Sequence, residues 1–171
     1  SPVALRELSG KQLFVLRRGP DGHEIRTVGV DNDTQSTIRL FPEAFLASSV
    51  IICEGASEIG LLRGLDLNRL EQGAVSMAAQ SVALIDSGGG EADRPYARAA
   101  VFQSLGYRVM VFRDDDVKPT HAIEITTVAV MTSIKPIPAN VLFRLIITHF
   151  ERITSDYPQY FVPFSFQFHL L

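Results

Sequence analysis

The stretch that decides the predicted fold is residues 50–58, with the sequence VIICEGASE. Its first four residues are apolar and rich in β-branched side chains, a pattern that predicts a short buried strand. Gly55 lets the backbone turn sharply after Glu54, and Ser57 is placed to cap a helix whose first turn carries Glu58. The stretch therefore predicts a strand-to-helix corner with two carboxylates, and open α/β sheets bind ligands at such corners.

A second corner of the same kind is predicted at residues 108–116, RVMVFRDDD, where an apolar strand ends in three acidic residues. Side chains alternate along a strand, so Asp114 and Asp116 are expected to face one way and Asp115 the other. Adjacent carboxylates repel one another. A bound divalent cation is the simplest partner that would make this arrangement favourable.

Two helices and one more strand are predicted between these corners. Residues 82–85 form a buried strand, and Asp86 and three glycines at residues 88–90 follow it. That loop can bring its backbone close to phosphate or metal, or be a plain connection, and Asp86 can join a metal site or cap the turn. The second helix begins at Asp93 and ends at Gly106, with a predicted buried face of four residues: Ala97, Ala100, Val101 and Leu105. Alternating strands and helices predict a parallel sheet with right-handed crossovers.

In their order and spacing these elements resemble the Toprim domain. The closer match is the overcoming-lysogenization-defect (OLD) family, in which a Toprim nuclease follows an ABC-type ATPase. The resemblance covers roughly residues 47–118 and implies an α/β fold, a Toprim-like Rossmannoid parallel sheet flanked by helices, with an N-terminal β-hairpin as an appendage. The positions that match its motifs are Glu54, Gly55 and Glu58, the glycines at residues 88–90, and Asp114 and Asp116.

The resemblance also implies a metal site. Cleavage of a phosphodiester needs charge neutralised on the phosphate and a water made nucleophilic, and divalent ions held by carboxylates do both. Oxygen ligands suit Mg²⁺ or Mn²⁺. The implied catalytic residues are Glu54, Asp114 and Asp116, with Glu54 also a general acid/base, and Glu58 completes the implied metal ligands. We predict that these carboxylates converge, although they can also be solvated loop charges on a generic α/β domain.

Three parts of the chain are predicted. Residues 1–46 resemble the C-terminal remnant of an ABC-type ATPase domain, with strands at 12–18 and 24–30 forming a hairpin that does not join the main sheet, followed by a polar linker. Residues 47–124 are the Toprim domain. Residues 125–171 are an atypical apolar segment, a helix and a strand, which lacks the later acidic and lysine positions of OLD proteins. Its aromatic tail predicts self-association.

Residues 31–37, DNDTQST, are the polar stretch predicted as that linker. The opening Ser1-Pro2 resembles the segment that follows the H-loop histidine of ABC-type ATPases, although a trimmed terminus has the same appearance. The chain has no Walker A pattern, so ATP is expected to act only through a missing upstream ATPase domain.

Composition narrows the function classes. The 171 residues are 46% hydrophobic with a net charge of −3, so a core can form and no global basic field attracts DNA. The single Cys53 excludes an internal disulfide and Cys-based zinc cages, and it is predicted to be a small buried hydrophobe. No apolar run reaches the length of a membrane helix, and a cytoplasmic location without membrane contact is predicted.

The sequence therefore predicts a Mg²⁺-dependent DNA endonuclease module of an OLD-like ATPase–nuclease with a role in phage defence. Its predicted partners are DNA, the ATPase domain of the same full-length protein and further copies of itself. Two alternatives stay open at this point. One is another Toprim enzyme fragment, of the primase or type IA topoisomerase kind, and the other is a non-catalytic truncated remnant.

Overall fold

The computed structural model of the chain describes residues 1–19, 21–114, 127–131 and 164–165. Four α-helices, seven strands and two short 3-10 helices lie within these ranges. In chain order they are α1 (Pro2–Arg6), a 3-10 helix (Gly10–Gln12), β1 (Phe14–Gly19), β2 (Gly22–Thr27), α2 (Asn32–Leu40), a second 3-10 helix (Pro42–Leu46), β3 (Ser49–Cys53), α3 (Ala56–Glu71), β4 (Val82–Asp86), α4 (Arg94–Ser104), β5 (Arg108–Asp114), β6 (Thr127–Met131) and β7 (Phe164–Ser165).

The strands form two separate sheets. The main sheet has the order β4-β3-β5-β6-β7, and each neighbouring pair is parallel. Strands β1 and β2 pair only with each other, as an antiparallel hairpin. The mixed α/β class, the parallel sheet with helices on both sides and the hairpin outside that sheet are therefore confirmed for the described residues.

Strand β3 lies between β4 and β5 in the main sheet and is buried on both faces. Val50 and Ile52 belong to a core cluster that includes residues of α4, whereas Ile51 and Cys53 belong to a second cluster that includes residues of α3. Alternate side chains of this strand therefore pack into two separate cores, one on each face of the sheet. A strand in that position needs a continuous apolar sequence. The chain leaves β3 for β4 on one side and later reaches β5 on its other side.

The hairpin shares the core on the α4 face. Leu13 and Val15 belong to the same buried cluster as Phe102 of α4. The guanidinium carbon of Arg17 lies 3.9 Å from the ring centroid of Tyr107, just before β5. The hairpin therefore packs on the main sheet through side chains without extending its ladder, and the predicted division of the chain at residue 46 stays a prediction.

The polar stretch at residues 31–37 was predicted as a linker, and that prediction is wrong because the stretch forms most of α2. Asp31 is the N-cap, and its Oδ1 accepts a hydrogen bond of 2.7 Å from the backbone N–H of Thr34. Thr34, Thr37 and Ile38 are buried. Short polar side chains thus face a core that the preceding hairpin completes, and tertiary packing overrides their weak helix propensity.

Two helix details also differ from the predictions. Helix α3 begins after Gly55 as N-cap, and Ser57 is an exposed residue of its first turn. For α4 the predicted buried face is only partly correct. Leu105 is buried as predicted, whereas Ala97 is exposed and Tyr96 and Phe102 are buried. The larger aromatic side chains, rather than the smaller alanines, set which face of α4 packs on the sheet. The predicted end of α4 at Gly106 is confirmed by its positive φ of 82°.

The C-terminal predictions fall mostly outside the described residues. Strand β6 pairs in parallel with β5, and Phe164–Ser165 pairs with β6. The predicted amphipathic helix before that strand is not among the described residues, and self-association of the tail stays a prediction. Among the helices that the structure describes, none has both the length and the apolar character that crossing a bilayer requires.

Candidate active site

The candidate site lies at the carboxyl ends of β3, β4 and β5, which meet at one edge of the main sheet. Glu54 follows β3 directly, and its backbone N–H donates a 3.1 Å hydrogen bond to the carbonyl of Phe112 on β5. On the other side, the N–H of Ser87 donates to the carbonyl of Cys53 at 2.9 Å. The three strand ends are therefore hydrogen-bonded to one another, and their side chains share this edge.

The glycine loop after β4 folds over the end of β3. Residues 88–90 have φ values of 82°, 64° and 89°, a region that favours glycine at each position. The N–H of Gly89 donates a 2.9 Å hydrogen bond to the carbonyl of Glu54. The side chain of Asp86 accepts from the N–H of Gly88 at 2.7 Å, so of its two predicted roles the structure shows the turn cap.

Two arginines of α4 hold this loop by its carbonyl groups. Arg98 donates from Nη1 to the carbonyl of Asp86 at 2.8 Å, and Arg94 donates from Nη1 to the carbonyl of Gly89 at 3.5 Å. Burial lowers the pKa of Arg98, while the charge of Asp33 acts in the opposite direction. These residues place two positive charges beside the edge that carries the predicted carboxylates.

Glu58 stabilises the corner between β3 and α3. It is 3% exposed, and its Oε2 accepts a 2.8 Å hydrogen bond from the N–H of Gly55, the helix N-cap. A carboxylate in the first turn also interacts favourably with the helix dipole. One of its two oxygens is thus engaged by the backbone, and Glu58 can offer a cation only the other.

Glu54 faces an arginine that the sequence interpretation missed. Oε2 of Glu54 lies 3.6 Å from Nε of Arg113, and the two side chains are 22% and 2% exposed. Arg113 follows Val109 and Val111 at two-residue steps along β5, and both valines are buried in the α4-side core. That alternation is a sequence signal that could have placed Arg113 on the buried face, beside Glu54.

The predicted carboxylates come together only in part. Asp114 is exposed at the end of β5, one residue beyond Arg113, so the pleat turns it away from the face that Arg113 and Glu54 share. Asp115 and Asp116 lie outside the described residues. Within the described ranges, no three His, Cys, Asp or Glu residues form a group that could hold a metal ion. Convergence of Glu54, Asp114 and Asp116 therefore stays a prediction.

Cys53 lies directly beneath the site and is fully buried. Burial, together with the charges of Glu58 and Asp86, raises the pKa of its thiol from 9.0 to about 12. The thiolate is the nucleophilic form of cysteine, so this thiol is unsuited to nucleophilic catalysis. Its burial agrees with the predicted role as a small hydrophobe.

The native protein should therefore react very slowly with iodoacetamide. At pH 8 we expect alkylation of Cys53 to be about 1,000-fold slower than in the urea-unfolded chain, from the difference in thiolate fraction alone. Above pH 9 the unfolded chain releases a proton that the folded chain retains, so stability should fall as pH rises towards 12. Mass spectrometry of timed alkylation tests this, and equal rates for the two states would contradict the buried position.

A separate cleft of about 190 Å³ lies between α2 and α4. It contains none of the predicted metal ligands, although Arg98 lines it and also reaches the loop after β4. The carboxyl edge of the sheet, rather than this cleft, gathers the residues that the sequence motifs single out.

Comparison of the chain with known protein families finds no family model that matches it, and comparison with curated proteins finds no match.

Proposed function

We propose that this chain is a Toprim-type nuclease module of an OLD-like ATPase–nuclease, and that it hydrolyses DNA phosphodiester bonds with Mg²⁺ or Mn²⁺. One observation carries the proposal: Glu54 and Asp114 leave neighbouring parallel strands at the same edge of the sheet. In the order of the strands, β3 is followed along the chain by β4, which lies on one side of it, and β5 is followed by β6, which lies on the opposite side. Ligands of open α/β sheets bind at such switch points.

The side chains at this edge suit a hard divalent cation. Oε2 of Glu54 is buried and accepts no hydrogen bond within the described residues, and its ion-pair partner, Nε of Arg113, lies 3.6 Å away. Carboxylate oxygens of this kind are the donors that Mg²⁺ and Mn²⁺ prefer. We assign the cation to a position beyond the strand ends, which Glu54 and Asp114 would approach from opposite faces of the sheet, together with Asp116, which lies outside the described residues. Glu58 would support it through the oxygen that does not accept from Gly55.

The chemistry that the cation supplies when bound is neutralisation of phosphate charge and activation of a water. The chain itself contributes the other requirements. Glu54, the residue that directly follows β3 at this edge, takes the proton-transfer role that the resemblance implies. The glycines at residues 88–90 carry no side chain that would keep a DNA backbone from the edge. Arg94, which is exposed on the adjacent helix, adds a local positive charge that the net charge of −3 does not provide.

The partners in this proposal follow the same resemblance. DNA is the substrate. ATP acts only through an ATPase domain of the same full-length protein, because this sequence lacks the Walker A pattern that binds the phosphates of ATP. Self-association and a role in phage defence belong to the proposal as well. The primase and topoisomerase alternatives share the same metal chemistry, so a cleavage assay addresses the reaction type first.

Nicking of supercoiled plasmid DNA tests the proposal. The purified chain should nick DNA with Mg²⁺ or Mn²⁺ and stop when EDTA is added, and Asp114→Asn should remove detectable nicking because the amide is a poor ligand for a hard cation. Asp115→Asn is the matched control, because the sequence predicts that Asp115 faces the opposite way from Asp114 and Asp116, and it should retain most activity. Metal-independent nicking, or equal loss in the two variants, would contradict the assignment.

A second candidate function is favoured by the ion pair between Arg113 and Glu54. A carboxylate that is already neutralised by the chain needs no metal, which is what a non-catalytic module would show. In that case the wild-type chain should bind neither Mg²⁺ nor Mn²⁺ at millimolar concentrations in a calorimetric titration. The two candidates are therefore separated by metal binding before any activity is measured.

A further inference from the structure

Arg113 is the largest fully buried side chain among the described residues. Arginine is seldom buried unless its charge is paired, because the cost of removing a guanidinium from water is high. Here the residue stands at the end of the strand that neighbours β3, and the carboxylate of Glu54 lies 3.6 Å from its Nε. The pair thus joins the two strand ends that carry the proposed site.

The geometry excludes a direct role for Arg113 in binding DNA. A side chain that is 2% exposed cannot reach a phosphate at the surface. Asp114, the next residue, is exposed, so the strand presents the acid to solvent and keeps the base inside. Arg113 can therefore influence chemistry at this edge through Glu54, the carboxylate that its Nε approaches.

We propose that Arg113 is a built-in counter-cation that neutralises Glu54 and fixes its position when no metal is bound. This makes Arg113 a positioning residue and gives the carboxyl edge its shape in the metal-free protein. The part of this inference that concerns bound metal rests on the proposed function, whereas the ion pair between Arg113 and Glu54 does not depend on metal. It also replaces the expectation that the metal-free edge suffers uncompensated carboxylate repulsion, since one of the carboxylates has its positive partner within the chain.

A double-mutant cycle in EDTA tests the pairing. Urea unfolding is measured for the wild type, Arg113→Met, Glu54→Gln and the double variant. Arg113→Met should lower the folding equilibrium constant by about 100-fold or more, because it leaves a largely buried carboxylate without its counter-charge. The folding equilibrium constant of the double variant should be at least about 10-fold larger than the value obtained by multiplying the effects of the two single variants.

Arg108→Met is the matched control for this cycle. Arg108 is an exposed arginine at the opposite end of the same strand, and it should combine with Glu54→Gln additively. Arg113→Lys keeps the charge and should recover most of the stability that Arg113→Met loses. If Arg113→Met does not fold, the cycle is run with Arg113→Lys and Glu54→Gln, for which a smaller departure from additivity is expected. Additive effects in the cycle would overturn the inference.

Rescue by Mn²⁺ separates a counter-cation from a residue that only fills space. If Arg113 supplies positive charge, Mn²⁺ should raise the melting temperature of Arg113→Met by more than that of the wild type, since the metal replaces the missing charge. An increase confined to the wild type would overturn the inference. If Mn²⁺ stabilises neither protein, the proposed nuclease function fails, and the cycle in EDTA alone decides the role of Arg113.

Discussion

Replacing Phe102 with alanine is expected to lower the free energy of unfolding by about 3–5 kcal/mol, the range for truncating a buried aromatic residue. Phe102 is 1% exposed, and its ring centroid lies 5.1 Å from those of both Phe45 and Tyr107. The hydroxyl of Tyr107 donates a 2.9 Å hydrogen bond to the carbonyl of Phe45, which closes this group around the ring. The truncation therefore opens a cavity where α4, the second 3-10 helix and the start of β5 meet.

Urea denaturation monitored by circular dichroism measures this effect, and Phe14→Ala is the matched control. Phe14 is 62% exposed on the hairpin, so its truncation should change stability by no more than about 0.5 kcal/mol. A loss below about 1 kcal/mol for Phe102→Ala, or a similar loss for both variants, would contradict the packing of α4 against the second 3-10 helix and the start of β5.

Replacing Gly10 with alanine should be at least as harmful, because the added methyl group has no space. A Cβ at this position would overlap the backbone carbonyl of Gly29, and a backbone atom cannot move aside as a flexible side chain can. The N–H of Gly10 also donates a 3.1 Å hydrogen bond to the side chain of Gln35 on α2. We expect a loss of about 3 kcal/mol or more, with α2 displaced from the hairpin.

Gly60→Ala provides a control of opposite sign. Gly60 is an exposed position inside α3, and nothing lies within 4 Å of a Cβ built there. Alanine in a helix interior is favoured over glycine, so this variant should gain about 0.5–1 kcal/mol. Both changes add one methyl group, and equal thermal shifts for the two variants would refute the close approach at Gly10.

The central α/β unit could be predicted from sequence because its local signals agree with its tertiary role. Strand β3 is uniformly apolar and is buried on both faces, and Gly106 ends α4 with the positive φ that its position suggested. At each of these places one interpretation satisfies strand or helix propensity, burial and turn chemistry together. Such agreement is what makes a short stretch informative in isolation.

The errors occurred where tertiary packing decides between local alternatives. Residues 31–37 carry a capping aspartate inside a polar run, and their burial depends on a hairpin that the stretch itself does not reveal. The face of α4 depends on where Tyr96 and Phe102 find space, which the alanine pattern does not contain. The periodicity of the apolar residues predicted the helix α4, but it did not predict correctly which face of that helix is buried.

The candidate site shows the same limit. The positions of Glu54 and Asp114 at the ends of β3 and β5 were predictable because acidic residues at successive strand ends stand out in the sequence. Arg113 was missed because a charged residue beside an acidic run suggests a solvated strand end, and only its register against β3 brings it to Glu54. Burial of a charge is a property of the pair, so it becomes visible only when both strands are in place.

Thermal unfolding with and without Mn²⁺ tests most directly whether the carboxyl edge of this sheet binds a divalent cation. At about 100 times the dissociation constant, the cation should stabilise the wild-type chain by about 2.7 kcal/mol and raise its melting temperature by about 5–10 °C. Asp114→Asn should abolish that rise, whereas Asp115→Asn should preserve it. An unchanged wild-type melting curve would contradict cation binding at this edge. A loss of the Mn²⁺-dependent rise in the Asp115 variant as large as that in the Asp114 variant would contradict it as well.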